Sequence, residues 1–179
     1  MGAKVKASKI VFLCKGVPFA LNLVRSHVHA SALYGIRVNG MSDKILDEVR
    51  AMTRAASSTR ASGGSNRIDL LLQGSRDIDP AFAANCAPLL EWAKRVNMAF
   101  YHKDIDTVSK MRTAWSAAMA DLHRDNTEGK NAWDSVRGPA SACIVTLGRI
   151  GWDIGLSNGW RVWIGRSGNE IDLADLPNT

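Results

Sequence analysis

Long hydrophobic runs are missing from this sequence. The longest apolar run near the start, Ile10 to Cys14, holds five residues, whereas a membrane-spanning helix needs about 20 and the core of a secretory signal about 7–15. The sequence therefore predicts no transmembrane segment, no secretory signal and no membrane partner. Its 179 residues, 46% hydrophobic and 22% charged, are enough to bury a globular core without metal or disulfide crosslinks.

Cysteine is also scarce. The three cysteines, Cys14, Cys86 and Cys143, are odd in number and far apart in the chain. This spacing argues against a disulfide framework and against a C-x-x-C metal or redox motif. We therefore expect an intracellular protein in a reducing compartment, the nucleus or the cytoplasm.

Acidic residues are absent from the first 42 positions, which nevertheless hold six basic ones. These cations are Lys4, Lys6, Lys9, Lys15, Arg25 and Arg37. The rest of the chain holds 17 basic residues, 23 less those six, and 17 acidic ones, so the net charge of +6 lies entirely in the opening segment. We predict that the six cations contact the phosphates of a DNA or RNA backbone. An organelle transit segment, which is also acid-poor, and a solvated face without a partner are the alternatives.

The motifs of common catalytic and metal sites are missing as well. There is no G-x-S-x-G nucleophile elbow, and Gly63-Gly64-Ser65 lacks the lysine of a phosphate-binding loop. His27 and His29 diverge if they lie on a helix, with no Cys or carboxylate nearby in the chain, and His102 and His123 are isolated. We expect no catalytic residue, no metal site and no cofactor.

Two close pairs of carboxylates remain as candidates for chemistry. Asp77 with Asp79, and Asp104 with Asp106, could hold Mg²⁺ or divide acid and base roles. Both pairs stand directly before predicted helices, where Asp caps the first turn, and we interpret them as caps. An enzyme would require several of these carboxylates and the histidines to converge in one pocket.

Helical periodicity dominates between residues 17 and 150. Start signals stand at Ser42-Asp43, Asp79-Pro80, Asp104 or Asp106, and Gly138-Pro139, each followed by apolar residues at three- and four-residue steps. Pro88 should kink its region or begin a second helix. The predicted buried faces include Ile45, Leu46, Val49, Leu89, Leu90, Trp92, Ala93, Val96, Phe100 and Trp115.

The last thirty residues change character. Trp160, Val162 and Ile164 alternate with Arg161 and Trp163, and this period of two predicts a strand. The alternation returns at residues 171 and 173, so we predict a C-terminal β-hairpin. Trp160 and Trp163 point to opposite faces of such a strand, which makes them candidate partner-binding residues, either stacking on a base or anchoring a protein.

These patterns define a mainly α fold, a multi-helix bundle with a small C-terminal β-hairpin. We divide the chain into a basic N-terminal segment (1–16), a helical hairpin (17–56), a Ser/Gly-rich linker (57–66), a helical body (67–150) and a Gly/Trp-rich β-hairpin and tail (151–179).

One stretch is more specific than the rest. Ala32-Leu33-Tyr34-Gly35 is followed by residues 36–43 and by a helix with Leu46 and Val49. This pattern resembles the region directly downstream of the polymerase palm in non-LTR retrotransposon reverse transcriptases. There a helix ends in a similar turn, a short extended piece follows, and a new helix begins after Ser or Thr.

Later pieces extend the resemblance loosely over roughly residues 25–165. They are Pro88 to Ala93, the helix of Trp115, Trp133 to Pro139 and Arg149 to Trp152. The family synthesises DNA with palm aspartates in an Asp-Asp turn, and this sequence contains no Asp-Asp dipeptide. The resemblance therefore implies no catalytic residue, only a thumb-like helical part that helps to hold the template–primer duplex.

The sequence thus predicts a non-catalytic, reverse-transcriptase-derived helical fragment that binds nucleic acid weakly and without sequence preference. The alternative is a protein-interaction module without a nucleic-acid role, which would use an exposed helix face or the hairpin of Trp160 and Trp163. The protein partner of such a module is unknown.

Overall fold

The computed structural model describes residues 21–56, 65, 68, 70, 78–154, 161–164 and 168–172, with only the backbone of Leu21, Arg25, Ala56 and residues 161–164. Most of these residues are helical, and the helices precede a small antiparallel sheet, which confirms the predicted fold class. Apart from Ser65, the basic segment 1–16 and the linker 57–66 lie outside the described residues. Among the residues described, no helix is both long and apolar enough to cross a membrane.

Helices and strands follow one another in the order below. They are α1 (Leu21–Leu23), a π-helical stretch (Val24–His29), α2 (Ala30–Ala32), α3 (Ile36–Asn39), α4 (Asp43–Ala56), α5 (Pro80–Tyr101), α6 (Ile105–Thr127), a 3₁₀ helix (Ala132–Ser135), α7 (Pro139–Arg149), β1 (Trp152–Ile154), β2 (Arg161–Ile164) and β3 (Asn169–Asp172).

The chain divides into two compact units, of which the first comprises residues 1–34 and 41–84. Its described core joins the π-helical stretch to α4. Fully buried apolar side chains of this unit include Val24, Val28, Met41, Leu46, Val49 and Leu70. The predicted apolar stripe of α4 is wrong at Ile45, which is half exposed, while Thr53 is buried instead.

The second unit comprises residues 35–40 and 85–179. Its buried cluster consists of Trp92, Val96, Trp115, Ala140, Cys143, Ile144 and Leu147. The rings of Trp92 and Trp115 lie 5.5 Å apart between centroids, and both residues are only 3% exposed. The prediction that these two tryptophans belong to the core is therefore confirmed.

The C-terminal sheet has three strands in the order β1-β2-β3, all antiparallel. The predicted hairpin corresponds to β2 and β3, and β1 adds an edge strand that the sequence did not predict. Trp152 and Ile154 of β1 and Ile171 of β3 pack against the cluster of the second unit. One face of the sheet therefore closes the core of that unit.

The predicted helix starts are confirmed. Each start is determined by residues next to it in the sequence, which is why it could be predicted. The Ser42 hydroxyl accepts a hydrogen bond from the N–H of Ile45 at 3.4 Å, and α4 begins at the next residue, Asp43. Pro139 occupies the first turn of α7, where its missing N–H costs no helical hydrogen bond.

Pro88 does not begin a second helix, because α5 continues through it as a single helix with the proline ring fully buried. The expectation for two apolar residues of α5 is wrong. Leu90 and Phe100, expected in the core, are 49% and 44% exposed. The helix ends without glycine: Lys103 takes a left-handed φ of 53°, and the N–H of Asp104 donates to the carbonyl of Ala99 at 2.9 Å, as in a Schellman cap.

Gly40 occupies a position in the second unit that only glycine fits. Its φ of 63° and ψ of −161° lie in a region that residues with a side chain avoid. A Cβ at this position would lie 2.5 Å from Cζ3 of Trp133. The Trp133 ring has little freedom to move, because the Arg149 guanidinium lies 4.1 Å from its centroid and in turn donates to Asn85 at 3.2 Å.

We expect Gly40→Ala to lower the free energy of unfolding by roughly 3 kcal/mol, through backbone strain and overlap with Trp133. Urea unfolding checks this value. Gly129→Ala is the control: Gly129 also has a positive φ, 74°, but nothing lies within 4 Å of its Cβ position, so it should lose only about 1 kcal/mol. Equal losses in the two variants would contradict the role of Trp133.

Candidate nucleic-acid interface

The predicted phosphate-binding cations lie only partly within the described residues. Lys4, Lys6, Lys9 and Lys15 lie outside them, and for Arg25 the backbone alone is described, within the π-helical stretch. Arg37 is therefore the one member of the set whose side chain the structure places.

Arg37 lies on α3 and is well exposed. Its side chain keeps 73% of its accessible surface, and its Nη1 lies 3.9 Å from Oε2 of Glu91. An exposed ion pair of this length contributes little to stability. The guanidinium therefore remains accessible to a phosphate, although an acidic residue from outside the opening segment does reach it.

Tyr34 is an exposed aromatic residue within the described part of the opening segment. It is 91% exposed and follows the end of α2 at Ala32, in a turn completed by Gly35 at a φ of 79°. Sequence reasoning treated Tyr34 only as part of the resemblance. Its position beyond the helix end, off the buried stripe of Val24 and Val28, was the signal that could have revealed its exposure.

His27 and His29 face different surroundings, as their two-residue spacing predicted. His27 is exposed, and its Nδ1 lies 2.7 Å from the hydroxyl of Ser26. His29 is buried, and its Nε2 lies 2.9 Å from the Thr53 hydroxyl. That hydroxyl donates to the carbonyl of Val49, so the hydrogen bond assigns the proton to Nε2 of His29.

Asp79 and Asp104 act as helix caps, which confirms that interpretation for these two carboxylates. Asp106 instead lies within the first turn of α6, and Asp77 lies outside the described residues. Oδ1 of Asp79 accepts from the N–H of Ala81 at 2.9 Å. Oδ1 of Asp104 accepts from the N–H of Thr107 at 3.0 Å, and Asp106 pairs with Lys110 along α6. Within the described part of the chain, no three His, Cys, Asp or Glu residues are grouped so that they could hold a metal ion.

Asp79 is also the acceptor of a two-pronged ion pair in the first unit. Nε and Nη2 of Arg50 donate to its two carboxylate oxygens at 2.9 and 3.0 Å. Burial raises the pKa of Asp79, but the hydrogen bonds from Arg50 and Ala81, together with the charge of Arg50, outweigh that effect and hold the pKa below its ordinary value. The ionised carboxylate thus joins α4 to the start of α5.

A second buried carboxylate stabilises the C-terminal end of α6. Asp125 is 2% exposed, and its Oδ1 lies 3.3 Å from Nζ of Lys130. The Ser135 hydroxyl, and then Lys130 and Arg124, hold the pKa of Asp125 below its ordinary range against the opposing effect of burial. The pair with Lys130 holds the loop that follows α6 against the end of that helix.

The described cysteines are free thiols without activating neighbours. Cys143 is buried and Cys86 is half-buried. Burial raises the pKa of both thiols, which disfavours the reactive thiolate form.

The predicted partner-binding tryptophans are described only in part. Trp160 lies outside the described residues, and of Trp163 only the backbone is described. Trp163 lies in β2 opposite Asp153 of β1 and Glu170 of β3. Its role in binding stays a prediction.

Comparisons of the chain with protein-family models, with curated proteins and with solved structures found no match.

We expect Asp79→Asn to lower the free energy of unfolding by about 2 kcal/mol at neutral pH. The substitution weakens the two hydrogen bonds from Arg50 and leaves the half-buried Arg50 guanidinium without its paired negative charge. A carboxyl whose folded pKa is lowered stabilises above its unfolded pKa, about 3.9, and loses that contribution as pH falls through the folded value. Urea titrations should therefore show the difference between wild type and variant shrinking below about pH 4. Asp106→Asn, which removes a charge from an exposed ion pair, is the control and should change the unfolding free energy little. If the difference between wild type and Asp79→Asn did not shrink at low pH, the assignment of this stability to the ionised Asp79 would be contradicted.

Proposed function

We propose that this protein is a non-catalytic, reverse-transcriptase-derived helical domain that binds DNA or RNA weakly and without sequence preference. The observation that carries the proposal is the opening segment of 42 residues, which holds six cations and no acidic residue. Nucleic acid is the polyanion that such a segment matches, because each phosphate neutralised by Lys or Arg releases condensed counterions.

The arrangement of the described charges supports this proposal. Several acidic side chains of the later chain have basic partners within 4 Å, such as Arg50 for Asp79, Lys110 for Asp106 and Lys130 for Asp125. The charges of these carboxylates are compensated locally. Arg37, in contrast, lies 3.9 Å from its acidic neighbour Glu91 and stays exposed.

The reverse-transcriptase component of the proposal is supported by the turn around Tyr34. α2 ends at Ala32, Gly35 takes a left-handed conformation, and α4 begins after Ser42, which follows the helix–turn–helix order of the resembled region. The intervening piece is the short helix α3 (Ile36–Asn39) rather than the extended piece expected, so the agreement covers the order of the elements and not every conformation.

Contacts with phosphates alone limit the affinity. Non-specific binding of this type gives a dissociation constant of roughly 10⁻⁴ to 10⁻⁶ M at physiological salt. With up to six cations engaged, the logarithm of the association constant should fall against that of salt concentration with a slope of about −4 to −5.

The test is a filter-binding titration at several salt concentrations, with wild type and a variant in which Lys4, Lys6, Lys9 and Lys15 are replaced by Gln. We expect the variant to bind more weakly and its salt slope to fall in magnitude by about 3, since four phosphate contacts are lost. Binding by wild type that is independent of salt, or no binding at low salt, would reject the proposal.

A matched control separates position from net charge. Lys44, Lys94, Lys103 and Arg112 are exposed and form no ion pair within the described part of the chain. Replacing these four by Gln removes the same charge but should leave most of the salt slope. Equal effects in both quadruple variants would mean that overall charge, rather than the opening segment, attracts the nucleic acid.

An exposed apolar face on α5 favours a second candidate, the protein-interaction module. Leu90, Met98 and Tyr101 lie on one side of the helix at 49%, 46% and 79% exposure, and Ile105 at the start of α6 is 81% exposed. A neighbouring pocket of about 390 Å³ is lined by the apolar Trp92, Met98, Ala99 and Met111 and by the polar Arg95, His102, Asp104 and Thr107. Exposed apolar patches of this kind are typical of docking surfaces for protein partners.

For this second candidate, we expect wild type to self-associate through the α5 face and the double variant Tyr101→Glu with Ile105→Glu to stay monomeric. Both side chains are largely exposed, so the double variant should keep its fold. Sedimentation velocity over a wide concentration range measures the association, with Ile45→Glu, at an exposed residue of α4, as the control. A wild type that stays monomeric throughout would remove self-association as the use of this face.

A further inference from the structure

We infer that the nucleic acid bound by the opening segment is single-stranded and that Tyr34 stacks on one of its bases. The inference rests on the proposed nucleic-acid function and adds the class of substrate to it. Cations alone do not distinguish a duplex from a single strand, because both present phosphates, whereas an exposed aromatic ring among those cations does.

The exposure of Tyr34 carries the inference. At 91% it is the most exposed of the large apolar and aromatic side chains given above, whereas Trp92 and Trp115 are each 3% exposed. The Tyr34 ring forms no hydrogen bond and no ring contact with the residues that the structure describes. Both faces of the ring are therefore open to a planar partner.

The backbone beside Tyr34 is ordered by hydrogen bonds, so the ring stands at a defined place in the chain. The N–H of Leu33 donates to the carbonyl of His29 at 2.7 Å, and the carbonyl of Gly35 accepts from Val38 and Asn39 at 3.0 Å each. An aromatic residue presented from a defined turn loses less conformational entropy on stacking than one on an unstructured segment.

The cations of the opening segment supply the phosphate contacts that would accompany stacking. The segment holds six of them and no carboxylate to repel a phosphate. Among them, Arg37 follows Tyr34 by three residues in the sequence, and its side chain is 73% exposed.

Stacking of this kind requires an unpaired base. In a duplex both faces of each base are covered by neighbouring base pairs, whereas the bases of a single strand can be splayed out and stacked on an aromatic side chain. The family resemblance alone would imply binding to a template–primer duplex. A preference for single-stranded or for duplex nucleic acid therefore distinguishes stacking by Tyr34 from the role that the resemblance implies.

The test is fluorescence anisotropy with a labelled single-stranded oligonucleotide of mixed sequence and the same oligonucleotide as a duplex. Wild type, Tyr34→Ala, Tyr34→Phe and Phe82→Ala are compared at low salt. Phe82 is the control because it is also an exposed aromatic residue, at 50%, but lies outside the acid-free segment. Far-UV circular dichroism checks that each variant keeps its helices.

We expect Tyr34→Ala to weaken single-strand binding about tenfold and to leave duplex binding unchanged. Tyr34→Phe, which keeps the aromatic face, and Phe82→Ala should bind the single strand like wild type. If wild type binds neither oligonucleotide, the proposed function fails. If wild type binds but prefers the duplex, or if Tyr34→Ala binds the single strand undiminished or no more weakly than Phe82→Ala, the stacking inference alone fails.

Discussion

The packing of Trp92 against Trp115 is the interaction on which the second unit depends. The two rings, 5.5 Å apart, join α5 to α6, and an aromatic pair contributes about 0.5–1.5 kcal/mol beyond the burial of its area. α6 depends on this contact because Trp115 and Asp125 are its only buried residues, and the structure describes the whole helix. One end of α6 is capped by Asp104 and the other is held through Asp125. Its middle is held by the tryptophan pair, against which α7 and the sheet complete the core.

The charged side chains of this protein are arranged differently in the opening segment and in the later chain. In the later chain, opposite charges often stand three or four residues apart on a helix, as in Lys110 with Asp106 and Arg95 with Glu91, so the sequence itself supplies local partners. The opening segment has no such partner within its own 42 residues. Glu91 shows that a carboxylate from outside the segment can approach one of these cations. At 3.9 Å, with 73% of the Arg37 side chain exposed, that approach leaves the cation available to another anion.

The sequence predicted best the features that depend on neighbouring residues. Ser42, Asp79 and Asp104 cap helices because a short side-chain acceptor two or three positions before a free N–H is sufficient, and periodicity identified Trp92 and Trp115 as core. Features that depend on distant parts of the chain were missed. Leu90 and Phe100 carry an apolar pattern but are about half exposed, and β1 is too short to show alternation. Asp125 is buried only because later residues fold next to it. At the candidate interface, charge could be read from composition, whereas the exposure of Tyr34 was not predicted.

The two candidate functions depend on forces of different range, and this difference decides how they can be separated. At physiological salt the screening length is about 8 Å, so the lysines and arginines of the opening segment act only on phosphates that come nearly into contact with them. Their contribution falls steeply as salt rises. The apolar face of Leu90, Met98 and Tyr101 acts through burial of surface, which salt does not screen and which salting-out ions strengthen. Association that weakens with salt therefore points to the opening segment, and association that persists or increases points to α5.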